Sequence, residues 1–161
     1  MEFIIIDDDG RKRIIKSEDI AEVFDTMEEL VGRAIQKLKT APKVSWNGLG
    51  VEKIKKTLGD FYSTRNYLLR CYKNLRKRRD ETKEPKEKEE LNKSLKSLTT
   101  FVMYWNTGNN SGNGMYYKLQ KLQEAVDAYN ARVSDDDKIE SVEKITGYKI
   151  RYSVKTNYFP D

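Results

Sequence analysis

From Val51 to Leu75 the apolar residues Val51, Ile54, Leu58, Phe61, Leu68, Tyr72 and Leu75 recur at alternating steps of three and four, with Arg65 in the one polar seam position. Steps of this kind keep side chains on one face of an α-helix, so the segment reads as a single long amphipathic helix. Such a helix cannot bury its stripe alone. The rest of the chain must cover it with further helices, which sets the expected class as mainly α.

The opposite face of this helix is unusual. Between Gly50 and Arg79 stand ten Lys/Arg, namely Lys53, Lys55, Lys56, Arg65, Arg70, Lys73, Arg76, Lys77, Arg78 and Arg79, against only Glu52 and Asp60. The whole chain carries a formal charge of only +5, so the remainder is net acidic. Basic charge is concentrated on one element, and a cationic rod suits a polyanion better than a small-molecule pocket.

With 161 residues the chain is long enough for one core, and we expect one domain. Its parts are a β-hairpin over 1–16, a helical core over 17–132 and a helix plus strand over 133–161. There is no histidine and one cysteine, Cys71, which excludes Ser-His-Asp and Cys-His catalysis, a closed zinc site and an internal disulfide. No Gly-rich phosphate loop occurs, and the expectation is a non-enzyme without cofactors. No long apolar run is present, and Met1–Ile6 meets Asp7–Asp9 at once, so neither membrane span nor signal peptide is drawn. A cytoplasmic protein is expected.

Two acidic clusters invite a metal reading. Asp7-Asp8-Asp9-Gly10 lies between Phe3-Ile4-Ile5-Ile6 and Ile14-Ile15, which predicts a hairpin turn with Gly10 at positive φ. Ser134-Asp135-Asp136-Asp137 precedes Ile139, Val142 and Ile145 and reads as a helix N-cap with acids in the first turn. Neither has the alternating oxygen ligands and distal Glu of a calcium loop, so no metal site is assigned.

Along the chain, Glu2–Ile6 pairs with Arg11–Lys16 as a hairpin. Ser17 caps a helix to Lys39, with Ile20, Phe24, Met27, Val31, Ala34 and Leu38 on one face. Thr40-Ala41-Pro42 ends it, and Ser45–Gly50 turns into the basic helix, which Gly59-Asp60 can kink or split. Pro85 sits in a turn or in the first turn of the next helix, whose face is Leu91, Leu95, Leu98, Val102 and Trp105. Asn106–Gly114 is a loop, either a binding loop or a plain connector. A last long helix carries Tyr116, Leu119, Leu122, Val126 and Tyr129. The tail offers a short helix to Thr146, Gly147 as C-cap, and a strand Tyr148–Val154 that can join the hairpin. The expected fold is a helical bundle with a small β element from the N-terminal hairpin and the C-terminal strand.

The cations admit two readings. Long bundle helices are often basic on their wet face, but acids then interleave as i,i+4 partners, and here they are nearly absent. Arg78 and Arg79 can instead answer acids in Asp80–Glu90. Phe61, Tyr62, Tyr67 and Tyr72 can stack on bases, although Phe61 and Tyr72 have the phase of core residues. The residues assigned to nucleic-acid binding are Lys53, Lys55, Lys56, Arg65, Arg70, Lys73, Arg76 and Lys77.

Three segments also carry a resemblance to a known family. Trp46-Asn47-Gly48-Leu49 followed by Glu52-Lys53-Ile54-Lys55-Lys56, then Phe101–Gly108, then Leu122–Asn130, resembles the small helical subunit of type III-A CRISPR effector complexes. The resemblance runs in chain order. It departs at Asn109, where that family has Arg, in a shorter segment before the last helix, and in Asp135–Asp161, which has no counterpart. It implies a non-catalytic antiviral-defence subunit that lines the guide RNA–target duplex in several copies, with other effector subunits and its own copies as partners. Lys53, Lys55 and Lys56 are the candidates it supports by position. Arg65, Arg70, Lys73, Arg76 and Lys77 rest on charge and phase.

A reading from another class is a protein-interaction module, such as a phage-encoded inhibitor or assembly adaptor, whose basic helix docks an acidic groove. A helix-turn-helix over Val51–Leu69 fits the expected spacing poorly.

Overall fold

The computed structural model describes residues 2–107 and 114–150, and the side chains of 100–107 are not described. Among the described residues two strands, β1 (Glu2–Ile6) and β2 (Lys12–Lys16), precede five α-helices, α1 (Ser17–Thr40), α2 (Val51–Glu81), α3 (Pro85–Thr107), α4 (Met115–Arg132) and α5 (Val142–Thr146). The fold is mainly α with a two-stranded antiparallel sheet, as the apolar periodicity requires.

β1 and β2 pair in the register Glu2↔Lys16 to Ile6↔Lys12, around a turn in which Gly10 has φ of 79°. The Asp7 Oδ1 accepts the N–H groups of Asp9 and Arg11, which shapes the turn, and its Oδ2 lies 3.2 Å from Arg13 Nε. Phe3, Ile5 and Ile6 are buried, and β1 lies on α2 and α3. The Ile4 N–H donates to Ser94 Oγ, and the Asn74 side chain donates to the Ile6 and Asp7 carbonyls.

α1 begins one residue earlier than the Ser17 cap implies. Lys16 holds the N-cap position in extended conformation, and Ser17 is the first helical residue, its hydroxyl meeting Glu18. The chain leaves β2 directly into the helix, so no extra residue is left to serve as a side-chain cap. Phe24, Met27, Val31, Ala34 and Leu38 are buried as expected, while Ile20 is half-buried. Ala41, made extended by the proline that follows, terminates the helix. The Arg132 guanidinium donates to the Leu38 and Ala41 carbonyls, closing that end.

α2 starts from Gly50, whose φ of 83° suits glycine, and runs for 31 residues, about 46 Å at 1.5 Å per residue. It neither splits nor stops at Gly59-Asp60. Val51, Ile54, Leu58, Phe61 and Leu68 are buried along the expected stripe, and Phe61 packs edge-on against Phe24 with ring centroids 5.8 Å apart. Leu75 is buried too, and near this C-terminal end the stripe takes in one more position: Cys71 is buried and Tyr72 is half-buried against the core. A straight helix has slightly more residues per turn than a three-four repeat, so the buried line drifts backwards by about 20° per heptad.

α3 opens on Pro85, settling it in the first helical turn. Leu91, Leu95 and Leu98 are buried; the side chains of Val102 and Trp105 lie outside the described ones, as do residues 108–113 of the segment expected as a loop. α3 extends to Thr107, into the segment expected as loop. α4 buries Met115, Tyr116, Leu119, Leu122, Val126 and Tyr129. α1 packs chiefly on α4, and α2 chiefly on α3.

The C-terminal region departs from expectation in two places. Asp135–Asp137 form only a short 3-10 turn, and the helix that follows starts later, with Ser141 Oγ accepting from Lys144 N–H. The intervening backbone is committed to tertiary partners: Asn130 bonds both the N–H and the carbonyl of Ile139, Trp46 Nε1 donates to the Glu140 carbonyl, and Gln123 takes the Val142 N–H. Gly147 is the expected C-cap, with φ of 79°. Tyr148–Ile150, the start of the expected strand, are not in a strand, and residues 151–154 lie outside the described ones. Tyr148 stacks on Tyr62 at 4.6 Å and the Ile150 N–H donates to the Glu143 carboxylate, so this backbone turns to α2 and α5 rather than to the hairpin.

Candidate polyanion interface

Because α2 is one unbroken helix, each residue is rotated by about 100° from the one before it, and the packing around the helix decides which cations share a surface. The structure sorts the eight expected residues into three groups rather than one patch.

Lys53, Lys55 and Lys56 are exposed in the first turns of α2 and make no ion pair among the described residues. They do not share a face. Lys55 projects from nearly the opposite side to Lys53. Lys56 lines a shallow cleft between α1 and α2 with Asp19, Glu22 and Asp60, so acids from both helices surround its charge. That local field opposes an incoming anion.

The second group is Arg70, Lys73 and Lys77, spaced i, i+3 and i+7 on one outward face. Lys73 and Lys77 are exposed with no ion-pair partner among the described residues. Arg70 stands 5.7 Å over the Tyr67 ring and 3.2 Å from the Asp8 carboxylate of the hairpin turn, with its side chain about half exposed. An exposed pair of this kind is weak and opens readily. Between Asp60 and Asp80 the helix carries no acid at all.

Arg65 and Arg76 form the third group, half-buried beside the apolar stripe, where their stems cover the core edge. Arg65 also reaches Asn66 Oδ1 at 3.5 Å. Arg78 and Arg79 are spent on the fold, as the acids after Asp80 suggest. Arg78 Nε lies 3.2 Å from Glu87, and Arg79 bonds Asp80 and Asn92. The contacts of Arg78 with Glu87 and of Arg79 with Asn92 join α2 to α3.

This packing leaves exposed cations that the sequence reading passed over. In α3, Lys88, Lys93 and Lys96 alternate with Glu87, Glu89 and Glu90, which in sequence reads as a neutral mixture. Glu87 faces Arg78, and Glu90 lies 3.9 Å from Lys12 of the hairpin. The outer side is left to Lys88, Glu89, Asn92, Lys93 and Lys96. Only the tertiary assignment of the acids could have singled these lysines out.

Of the aromatics considered for stacking, Phe61 is buried, and Tyr62, Tyr67 and Tyr72 are half-buried against the core. The Cys71 thiol is buried, and burial pushes its pKa above the ordinary value of 9.0. The acidic clusters serve local geometry: Asp7 shapes the hairpin turn, Asp135 pairs with Lys138, and Asp137 with Lys43. Among the described residues no group of three or more His, Cys, Asp or Glu is placed to hold a metal, and no helix is long and apolar enough to cross a membrane. Comparison of the chain with family models, with curated proteins and with solved structures finds no match in any of the three.

Proposed function

We propose that this chain is a non-catalytic nucleic-acid-binding subunit that holds a phosphate backbone against the outward face of the C-terminal half of α2. Lys73 and Lys77 are the central contacts, and Arg70 and Arg76 flank them. One observation carries the reading: the helix bears no acid between Asp60 and Asp80, and Lys73 and Lys77 are exposed there without an ion pair among the described residues, although Lys77 shares a cleft with Asp7, Asp8 and Glu81. Uncompensated cations at a solvated surface gain most from an anionic partner that releases its counterions. Such contacts give affinity without sequence choice. Lys53, Lys55 and Lys56 become secondary contacts, because their charges diverge and Lys56 has acids beside it.

The test is fluorescence anisotropy with single-stranded RNA, duplex RNA and an RNA–DNA hybrid across a salt series. Binding is expected to weaken steeply with salt, and Lys73→Glu with Lys77→Glu is expected to lower the log–log slope by about two. Absence of binding at low salt overturns the proposal. Binding only to an acidic protein would favour the interaction-module reading. The narrower form, a small subunit lining a guide–target duplex, rests on the resemblance of 46–56, 101–108 and 122–130. It requires that the tagged chain purify from its own cells with guide RNA and effector subunits.

A further inference from the structure

Among the described residues β2 is half of a two-stranded sheet, and none of them pairs with its outer edge. β1 is enclosed by α2 and α3, whereas Lys12, Arg13, Ile14 and Lys16 are exposed, and Ile14 at 68% is the one large apolar side chain exposed among the described residues. The hydrogen-bond phase shows which backbone groups face outward. The Asp7 N–H donates to the Arg11 carbonyl, and the Ile4 N–H turns away from β2 to Ser94 Oγ. The ladder bonds therefore fall on Phe3↔Ile15 and Ile5↔Arg13, which leaves the N–H groups of Lys12, Ile14 and Lys16 pointing away from β1. Among the described residues no hydrogen bond reaches the N–H of these three.

We infer that this edge is a docking site for an extended acidic peptide segment, added as a third strand with an apolar side chain beside Ile14. Strand addition supplies main-chain hydrogen bonds, and the flanking side chains decide the partner. Here those side chains are Lys12, Arg13 and Lys16. Lys12 and Arg13, themselves exposed, also meet Glu90 at 3.9 Å and Asp7 at 3.2 Å in solvent-screened contacts, and the edge stays cationic, so acids along the incoming strand gain and cations lose. Charge also argues against the other occupants. A second copy paired antiparallel about Ile14 would set Lys12 against Lys16 twice. The chain's own C-terminal segment carries Lys149, Arg151 and Lys155 before its first acid, Asp161. Short lysine-bearing edges resist random pairing, so the exposed isoleucine between two lysines selects a partner of opposite charge.

The inference is independent of the proposed nucleic-acid surface, and the experiment separates them. The full chain, labelled for amide NMR, is titrated with a short synthetic peptide alternating Glu and Val, and with a Lys-Val peptide of the same length. The expected result is saturable shifts at Lys12, Ile14 and Lys16 with the acidic peptide alone. Lys12→Glu with Lys16→Glu is expected to weaken binding by roughly tenfold. Ile14→Pro, which removes an outward N–H and leaves the β1 ladder its donors, is expected to abolish it. Lys73→Glu with Lys77→Glu should leave it unchanged. Shifts confined to α2, no shifts at all, equal binding of the basic peptide, or concentration-dependent dimers through β2 would each overturn the inference. If Ile14→Pro unfolds the hairpin, the charge-reversed pair decides alone.

Discussion

The Arg70 guanidinium reaches across 62 residues of sequence to place its Nε 3.2 Å from the Asp8 carboxylate. One cation of the basic face is thereby held by the hairpin turn while its neighbours Lys73 and Lys77 are not. This pair limits how much of the helix's charge an anion can meet. Replacing Asp8→Asn keeps a turn-compatible residue and releases Arg70. An exposed pair contributes about 0.2–1 kcal/mol, so RNA affinity at low salt should rise up to several-fold, with a salt slope steeper by about one. Unchanged affinity and slope would remove Arg70 from the interface.

Gly59 lies within α2, and a Cβ added there meets only the Tyr148 hydroxyl, at 4.0 Å. The helix is continuous, so glycine contributes only unfolded-state freedom at this position. Gly59→Ala should stabilise the protein by about 0.5–1 kcal/mol in urea unfolding. A loss of stability would mean that Tyr148 needs a closer approach to the helix.

Tyr129, 1% exposed, joins three parts of the chain through its hydroxyl, which accepts from the Val44 N–H at 3.1 Å and donates to the Asp137 carbonyl at 2.8 Å. Tyr129→Phe keeps the ring and strands both backbone groups. It should cost about 1–3 kcal/mol, read from the denaturation midpoint. A shift below about 0.5 kcal/mol would show that water replaces the hydroxyl at both groups.

Cys71 gives the stability a pH dependence. Burial raises its pKa above 9.0, opposed by the hydrogen bond from Tyr67, and Tyr67 is itself raised above 10.0, first by burial. The native state holds these protons more tightly than the unfolded chain. Unfolding therefore releases protons at alkaline pH, and stability is level below about pH 9 and falls above it. Urea unfolding across this range should show the fall, and Cys71→Ala should make it shallower. Equal slopes for the two proteins would remove the thiol as its source.

The hairpin with Gly10 at its turn, the buried faces of α1 and α4, and the Gly147 cap were legible in the sequence, because turn chemistry and apolar period are local properties. The helix expected from Ser134 was not: Ser134 makes no capping bond to the backbone, and Asn130, Trp46 and Gln123 hold the backbone groups that would continue the helix. Tyr72 packs half-buried against the core as its phase implies, while the buried Cys71 was not singled out as core, because the drift of a helical stripe accumulates over several turns.

The sequence alone determined that α2 is a long helix and that it carries no acid between Asp60 and Asp80, since both follow from residue order. Which cations stay available was decided by the tertiary structure. Asp8, Glu87 and Asn92 arrive from distant elements to take up Arg70, Arg78 and Arg79, and Asp19 and Glu22 arrive beside Lys56. Lys73 and Lys77 keep a solvated face. Electrostatic neighbours are set by distance in space, and the packing of hairpin, α1 and α3 around α2 sets those distances.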